Sequence, residues 1–171
     1  MYTPEISLRP IASEDLPFLN ELYASTRIEE LASLPWDKAA KDAFLDQQFN
    51  AQHSYYQAHF PQAEFQLIEL AGSPIGRAYL LWDEAHLQII DVALLPAQRG
   101  QGIGSRLLRD WLSCADAQEL SAGLYVESYN PAQTLYRRNG FIVTGENGVY
   151  LKMLRPCQQT NSSSPRNAPC I

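Results

Sequence analysis

The chain has 171 residues, a formal net charge of −6, 46% hydrophobic residues and 19% charged residues. That length can bury a core without disulfide or metal staples, and the acidic balance argues against nucleic-acid binding because no basic field neutralises phosphates. No apolar run is long enough to span a bilayer and no basic segment leads into an apolar stretch at the start, so we expect a soluble, cytoplasmic protein with no membrane partner. Three widely spaced cysteines, Cys114, Cys157 and Cys170, make neither a disulfide framework nor a zinc site. His53, His59 and His86 lack the spacing of metal ligands, so no metal is expected.

Residues 5–11 alternate as a strand. Ser13 is placed to cap a helix whose first turn carries Glu14 and Asp15, where the helix dipole favours them. Leu16, Leu19, Leu22 and Tyr23 form its apolar face, and residues 27–37 read as an aperiodic connection. A long helix follows from about Asp37 to Ala58, and Pro61 ends it. From residue 64 the period becomes that of strands. Runs 64–70, 74–83 and 85–95 are separated by turn signals and predict a meander. A helix to about Ala117 buries Ile103, Leu107, Leu108, Trp111 and Leu112. A strand at 122–128, a short helix between Pro131 and Gly140, and a closing hairpin around Glu146-Asn147-Gly148 complete the core pattern. Residues 1–155 are expected to form one domain, and the polar residues 156–171 a disordered tail. The order is strand, two helices, three strands, helix, strand, helix, two strands. It predicts an α/β fold of the α+β kind, a sheet with helices on its faces.

Three glycines, Gly100, Gly102 and Gly104, crowd the mouth of the helix that begins near Ile103. Bare amides at a helix N-terminus suit an anion such as a phosphate. A P-loop is excluded, because no glycine here precedes Lys and then Ser or Thr. The dinucleotide fingerprint fails from either starting glycine, since its last position falls on Ser105 or Leu107. A plain tight turn before a helix is the other structural explanation.

Arg99-Gly100-Gln101-Gly102-Ile103-Gly104 matches the pattern [QR]-x-x-G-x-[GA]. It resembles the acetyl-CoA pyrophosphate loop of the GNAT acetyltransferase superfamily. The run IIDVALLPAQRGQGIGSRLL resembles the family's fourth strand, loop and following helix, and LYVESYNPAQTLYRRNGF resembles its fifth strand and fourth helix. The resemblance covers nearly all of the chain except the tail. It implies the GNAT fold, a mixed, mostly antiparallel sheet of six or seven strands flanked by about four helices. It also implies an N-acyltransferase that uses acetyl-CoA as co-substrate.

Acyl transfer to an amine must hold the cofactor, deprotonate the amine, stabilise an oxyanion and protonate the leaving thiolate. By resemblance, the amides of Gly100, Gln101, Gly102, Ile103, Gly104 and Ser105, with Arg99, meet the pyrophosphate. Val92, Ala93 and Leu94 pair with the pantetheine arm, and one of their N–H groups faces the thioester carbonyl. Asn130 resembles the residue that bonds the pantetheine region, and it also suits an N-cap before Pro131. Tyr136 falls where the family's general acid points at the sulfur; the alternative is a core aromatic. The interval from Asn130 to Tyr136 is six, where many members have seven. Asp91 and then Glu127 are the candidate bases, each also readable as a solvated strand charge. The acceptor pocket is expected among Arg27, Glu29, Glu30, Trp36, Gln48, Gln52, Tyr55 and Tyr56. The expected acceptor is a small-molecule amine; a protein amine, or a non-catalytic acyl-CoA sensor, are the alternatives. Family members often form homodimers, and the resemblance places such a surface on the last strands.

Overall fold

In the computed structural model, which describes residues 4–159, strand and helix periods resolve into seven strands and four α-helices. In chain order these are β1 (Ile6–Pro10), α1 (Leu16–Ala32), α2 (Lys38–His59), β2 (Glu64–Leu70), β3 (Ser73–Trp82), β4 (His86–Leu94), α3 (Ile103–Ala117), β5 (Ser121–Glu127), α4 (Gln133–Arg138), β6 (Ile142–Asn147) and β7 (Tyr150–Arg155). The expected element order is therefore observed. The sheet runs β1-β2-β3-β4-β5-β7-β6. β1–β2, β5–β7 and β6–β7 are antiparallel, whereas β4–β5 is parallel. Among the described residues, no helix is long and apolar enough to cross a membrane.

The chain divides into two compact units. The first comprises the residues up to Tyr79 together with Asp91–Arg99. Its core joins Leu19, Tyr23 and Leu31 of α1 to Leu45 and Phe49 of α2 and Leu67 of β2. Burying each such side chain contributes roughly 1.5–3 kcal/mol. α1 continues through residues 27–32, which the sequence suggested were a connection. The apolar stripe is interrupted at Arg27, but its guanidinium lies 5.8 Å from the Tyr23 ring centre and 5.9 Å from that of Phe44. A cation over aromatic faces fills the gap that hydrophobic counting sees as a break.

Ser13 does not cap α1. Ser13–Asp15 form a 3-10 turn, and the Asp15 carboxylate accepts the Ala12 N–H at 2.7 Å. Asp15 also takes a two-point bond from Arg9, at 2.8 and 2.9 Å. α2 starts as expected, with Asp37 accepting the Ala40 N–H at 2.8 Å.

The second unit comprises Leu80–Ile90 and the residues from Gly100 onward. Ile103, Leu107, Leu108, Trp111, Leu112 and Ala115 give α3 one buried face, and α3 packs on β5. Ala122, Leu124 and Val126 of β5 and Met153 of β7 are buried. One ion pair ties this unit together. Arg155, 6% exposed, forks onto both Asp116 oxygens at 2.8 and 2.9 Å and donates through Nε to the Asn139 carbonyl at 2.8 Å. The Gln158 N–H adds a bond to Asp116 at 2.9 Å, while residues 160–171 of the expected tail lie outside the described residues.

Two predictions follow from these ion pairs. Arg155→Ala leaves a buried carboxylate without its cation, so urea denaturation should show a loss of about 3–5 kcal/mol. Asp15 is held at about 2, below its ordinary 3.8, by the Arg9 hydrogen bond first and the Ala12 N–H second. Its stabilisation is therefore complete above the unfolded value and is lost as pH falls through the folded one. Asp15→Asn should lower Tm at pH 7, and the difference from the parent should shrink between pH 4 and 2.

Candidate active site

The glycine stretch builds an open-topped helix entry. Gly100 and Gly102 have φ of +73° and +82°, a region that L side chains rarely adopt. Gly102 is the N-cap residue of α3, and its carbonyl accepts the Arg106 N–H at 3.0 Å. A Cβ placed at Gly102 or Gly104 would meet no atom within 4 Å. Space beside the first turn of α3 is thus clear of the described residues at these two positions, and a helix N-terminus offers amides suited to an anion. Gln101 is exposed, Gly104 and Ser105 are half-buried, and Ile103 points into the core at 7% exposure, which anchors the turn.

In the first unit, β4 carries Val92, Ala93 and Leu94 beside β3. Their position is set by Gly76, a residue that sequence reasoning missed. A Cβ at Gly76 would lie 2.3 Å from the Ala93 carbonyl oxygen and 3.2 Å from the Leu94 Cα, so only glycine permits this approach. The Leu95 N–H donates to the Ile75 carbonyl at 2.8 Å, and Arg99 Nε donates back to the Leu94 carbonyl at 3.0 Å. The parallel register between β4 and β5 pairs His86–Ile89 with Ser121–Leu124, and β4 runs on to Leu94 beyond it.

Asp91 belongs to a buried polar cluster. Its Oδ2 is 2.5 Å from Arg77 NH2, and the Tyr56 hydroxyl lies 3.4 Å from the same oxygen. Arg77, 3% exposed, donates from that nitrogen to Gln52 Oε1 at 2.9 Å, and its guanidinium lies 5.0 Å from the Tyr79 ring centre. Burial disfavours the Arg77 charge, but Asp91, Tyr79 and Tyr56 outweigh it and the guanidinium is held charged more firmly than usual. Burial pushes the Tyr79 hydroxyl up and the neighbouring His53 down, the latter helped by the Arg77 charge. Arg77 was detectable as a charge inside the otherwise buried run Ile75–Leu80.

Of the expected acceptor residues, Gln52 and Tyr56 join this cluster. Arg27 pairs with Glu30 and Tyr23, Trp36 packs edge-on to Phe44, and Tyr55 stacks on His59 at 3.9 Å. A groove of about 620 Å³ in the same unit, lined by Ile11, Ser13, Leu16, His53, Gln57 and Phe65 among others, contains none of the catalytic candidates.

In the second unit, Glu127 ends β5 and organises the turn into α4. Its carbonyl accepts the Asn130 N–H at 3.0 Å, and its Oε2 accepts Asn130 Nδ2 at 3.2 Å. Asn130 Oδ1 accepts the Ala132 N–H at 2.9 Å in the turn before α4, whose N-cap residue is Ala132 and not the expected Asn130. Tyr136 is half-buried on α4, its ring centre 5.8 Å from that of Phe141 in an edge-on contact. Among the described residues, no group of three His, Cys, Asp or Glu side chains is arranged to hold a metal.

Comparison with known proteins follows the same outline. The sequence model of the acetyltransferase (GNAT) domain matches residues 61–143. A Bacillus subtilis (strain 168) protein provisionally named as a ribosomal protein bS18-alanine N-acetyltransferase is 29% identical over 139 residues, 78% of this chain and 79% of that one. The crystal structure of PaiA N-acetyltransferase from Thermoplasma acidophilum in complex with coenzyme A aligns with a TM-score of 0.66 at 18% identity, covering 89% of this chain and 99% of that one. Spermidine N-acetyltransferase from Vibrio cholerae, in complex with CoA and spermine, aligns with a TM-score of 0.60 at 20% identity, covering 89% and 95%.

The close approach at Gly76 is directly testable. Gly76→Ala should displace Ala93 and Leu94, lowering Tm by several degrees and weakening CoA binding by about tenfold or more, as calorimetry would show. An unchanged melting curve would mean that the two strands are not held this closely.

Proposed function

This chain belongs to the GNAT acetyltransferase superfamily and is an N-acyltransferase, and from that premise we propose that it transfers an acetyl group from acetyl-CoA directly to a primary amine of a small molecule. The observation that supports the cofactor assignment is the open space at Gly102 and Gly104, where a Cβ would meet no atom within 4 Å, at the N-terminus of α3. Gly100 to Ser105 and Arg99 would hold the phosphates. The backbone of Val92–Leu94 would pair with the pantetheine arm and supply the N–H for the developing oxyanion, and Asn130 would steady the arm while bonding its own turn. The bound cofactor supplies an acyl thioester.

Asp91 is the proposed base, with Glu127, one oxygen of which accepts from Asn130, as the alternative. Tyr136 is the proposed acid. A phenol can donate a proton to a departing thiolate. The ammonium form of the acceptor loses one proton before attack and a second as the amide forms. The N–C bond forms, the C–S bond breaks, one proton ends on the sulfur and the other in solvent. No cysteine lies in either motif, so a covalent enzyme intermediate is not invoked.

The name of the Bacillus relative favours a second acceptor class, the N-terminal amine of a protein. The two classes separate in one assay: thiol release from acetyl-CoA with spermidine, small amino-acid amines and alanine-starting peptides. A cytoplasmic location belongs to the same reading. So does a homodimer through the last strands, supported by β6 at the outer edge of the sheet with Ile142 59% exposed.

Tyr136→Phe should lower kcat by roughly 10²-fold, the low end for losing a general acid from a good leaving group, with little change in KM for acetyl-CoA. A fall of less than about threefold in a folded variant would leave Tyr136 a packing residue.

A further inference from the structure

We propose that Arg77 is a positioning residue for acetyl transfer: its buried guanidinium pins one oxygen of Asp91 and leaves the other as the proton acceptor for the incoming amine. This rests on the acetyl-transfer reading and names a residue outside both family motifs.

The geometry is one-sided. Arg77 NH2 and the Tyr56 hydroxyl both address Oδ2, at 2.5 and 3.4 Å. Oδ1 accepts no hydrogen bond from the described residues, and the Asp91 side chain retains 18% exposure. Arg77 is itself fixed from α2, because the nitrogen that meets Asp91 also donates to Gln52. A carboxylate gripped at one oxygen, with the other open, has the orientation a base needs.

The energetics argue against a purely structural origin. Arg77 Nε and the Tyr79 hydroxyl are buried without a well-formed hydrogen bond among the described residues, although the two side chains interact with each other. A buried group without such a bond costs about 1–3 kcal/mol, and a buried ion pair seldom outperforms well-packed apolar residues of the same volume. Arg155 and Asp116 show what this chain does when an ion pair serves packing: both oxygens are engaged and Nε is satisfied. The Arg77 pair leaves an oxygen unused and a donor poorly satisfied. Costly arrangements of this kind concentrate at functional sites.

The groups facing Asp91 are Tyr56 from α2 and Arg77 from β3, with Tyr79 and His53 against Arg77. The nearest full charge is the guanidinium, so its removal frees the carboxylate to rotate and loses the orientation of the second oxygen, which lowers kcat more than it changes KM for acetyl-CoA.

The test measures thiol release from acetyl-CoA, with spermidine or an alanine-starting peptide as acceptor, for the parent, Arg77→Met, Arg77→Lys, Asp91→Asn and the Arg77→Met/Asp91→Asn double variant. Arg77→Met should lower kcat by about 10- to 100-fold and leave KM for acetyl-CoA within about threefold. Arg77→Lys, which keeps a cationic donor on the carboxylate, should recover at least about threefold of the lost kcat. The double variant should be no slower than Asp91→Asn alone. If Arg77→Met does not fold, Gln52→Leu removes the second anchor of Arg77 and should lower kcat by about threefold or more without altering acetyl-CoA affinity. An unchanged kcat in folded Arg77→Met, or an Arg77→Met loss that persists in full without Asp91, overturns the proposal while acetyl transfer stands. A parent that binds acetyl-CoA yet releases no thiol with any acceptor overturns both.

Discussion

The closest constraint in this molecule is the approach of β3 to β4 at Gly76, where a single methyl group would collide with the Ala93 carbonyl oxygen at 2.3 Å. That approach fixes where Ala93 and Leu94 lie, and Arg99 then bonds back to the Leu94 carbonyl, turning the chain toward Gly100. The same strand places Arg77, the next residue, against Asp91, the residue before Val92. One glycine therefore sets both the strand proposed to hold the cofactor arm and the cluster proposed to remove the acceptor's proton. Backbone contact of this kind is stiff, which suits a site whose donors must be in place before the reaction begins.

Two arginine–aspartate pairs share similar burial and differ in completeness. Arg155 and Asp116 satisfy each other and the surrounding backbone, so their unit gains a link between α3, α4 and β7 with no polar group left over. Arg77 and Asp91 meet through one oxygen and leave a buried donor without a well-formed hydrogen bond. Low surrounding polarity strengthens both attractions and penalises every unmet group. The first arrangement is a fastening. The second keeps a carboxylate oxygen in reserve, at a cost the rest of the first unit must offset through the packing of α1, α2 and β2.

Much of this was legible in the sequence because its signals are local. The stripe Ile103–Leu107–Leu108–Trp111–Leu112 announces α3, and the buried residues agree. The glycine spacing and the Asn130–Tyr136 segment carried the family. What escaped were features that depend on a distant partner. Arg27 broke a hydrophobic count because its role is to cover the Tyr23 and Phe44 rings. Ser13 satisfied the capping rule, but Asp15, anchored by Arg9, took the Ala12 N–H instead. Gly76 looked like any strand glycine until β4 lay alongside it, and Arg77 stood out as a charge in an apolar run whose partner, Asp91, the sequence did not disclose. Asn130 offered two roles that sequence could not rank, and in the protein alone it bonds the turn ahead of α4, whose N-cap is Ala132.

Calorimetric titration of CoA into Gly104→Val, beside the parent, tests the central claim most directly. The position is free of positive φ, and a Cβ there meets nothing within 4 Å, so the variant should keep its melting temperature. The account predicts that the parent binds CoA and that the valine, standing in the space reserved for the pyrophosphate, abolishes binding. Equal CoA affinity in a folded Gly104→Val protein would contradict it.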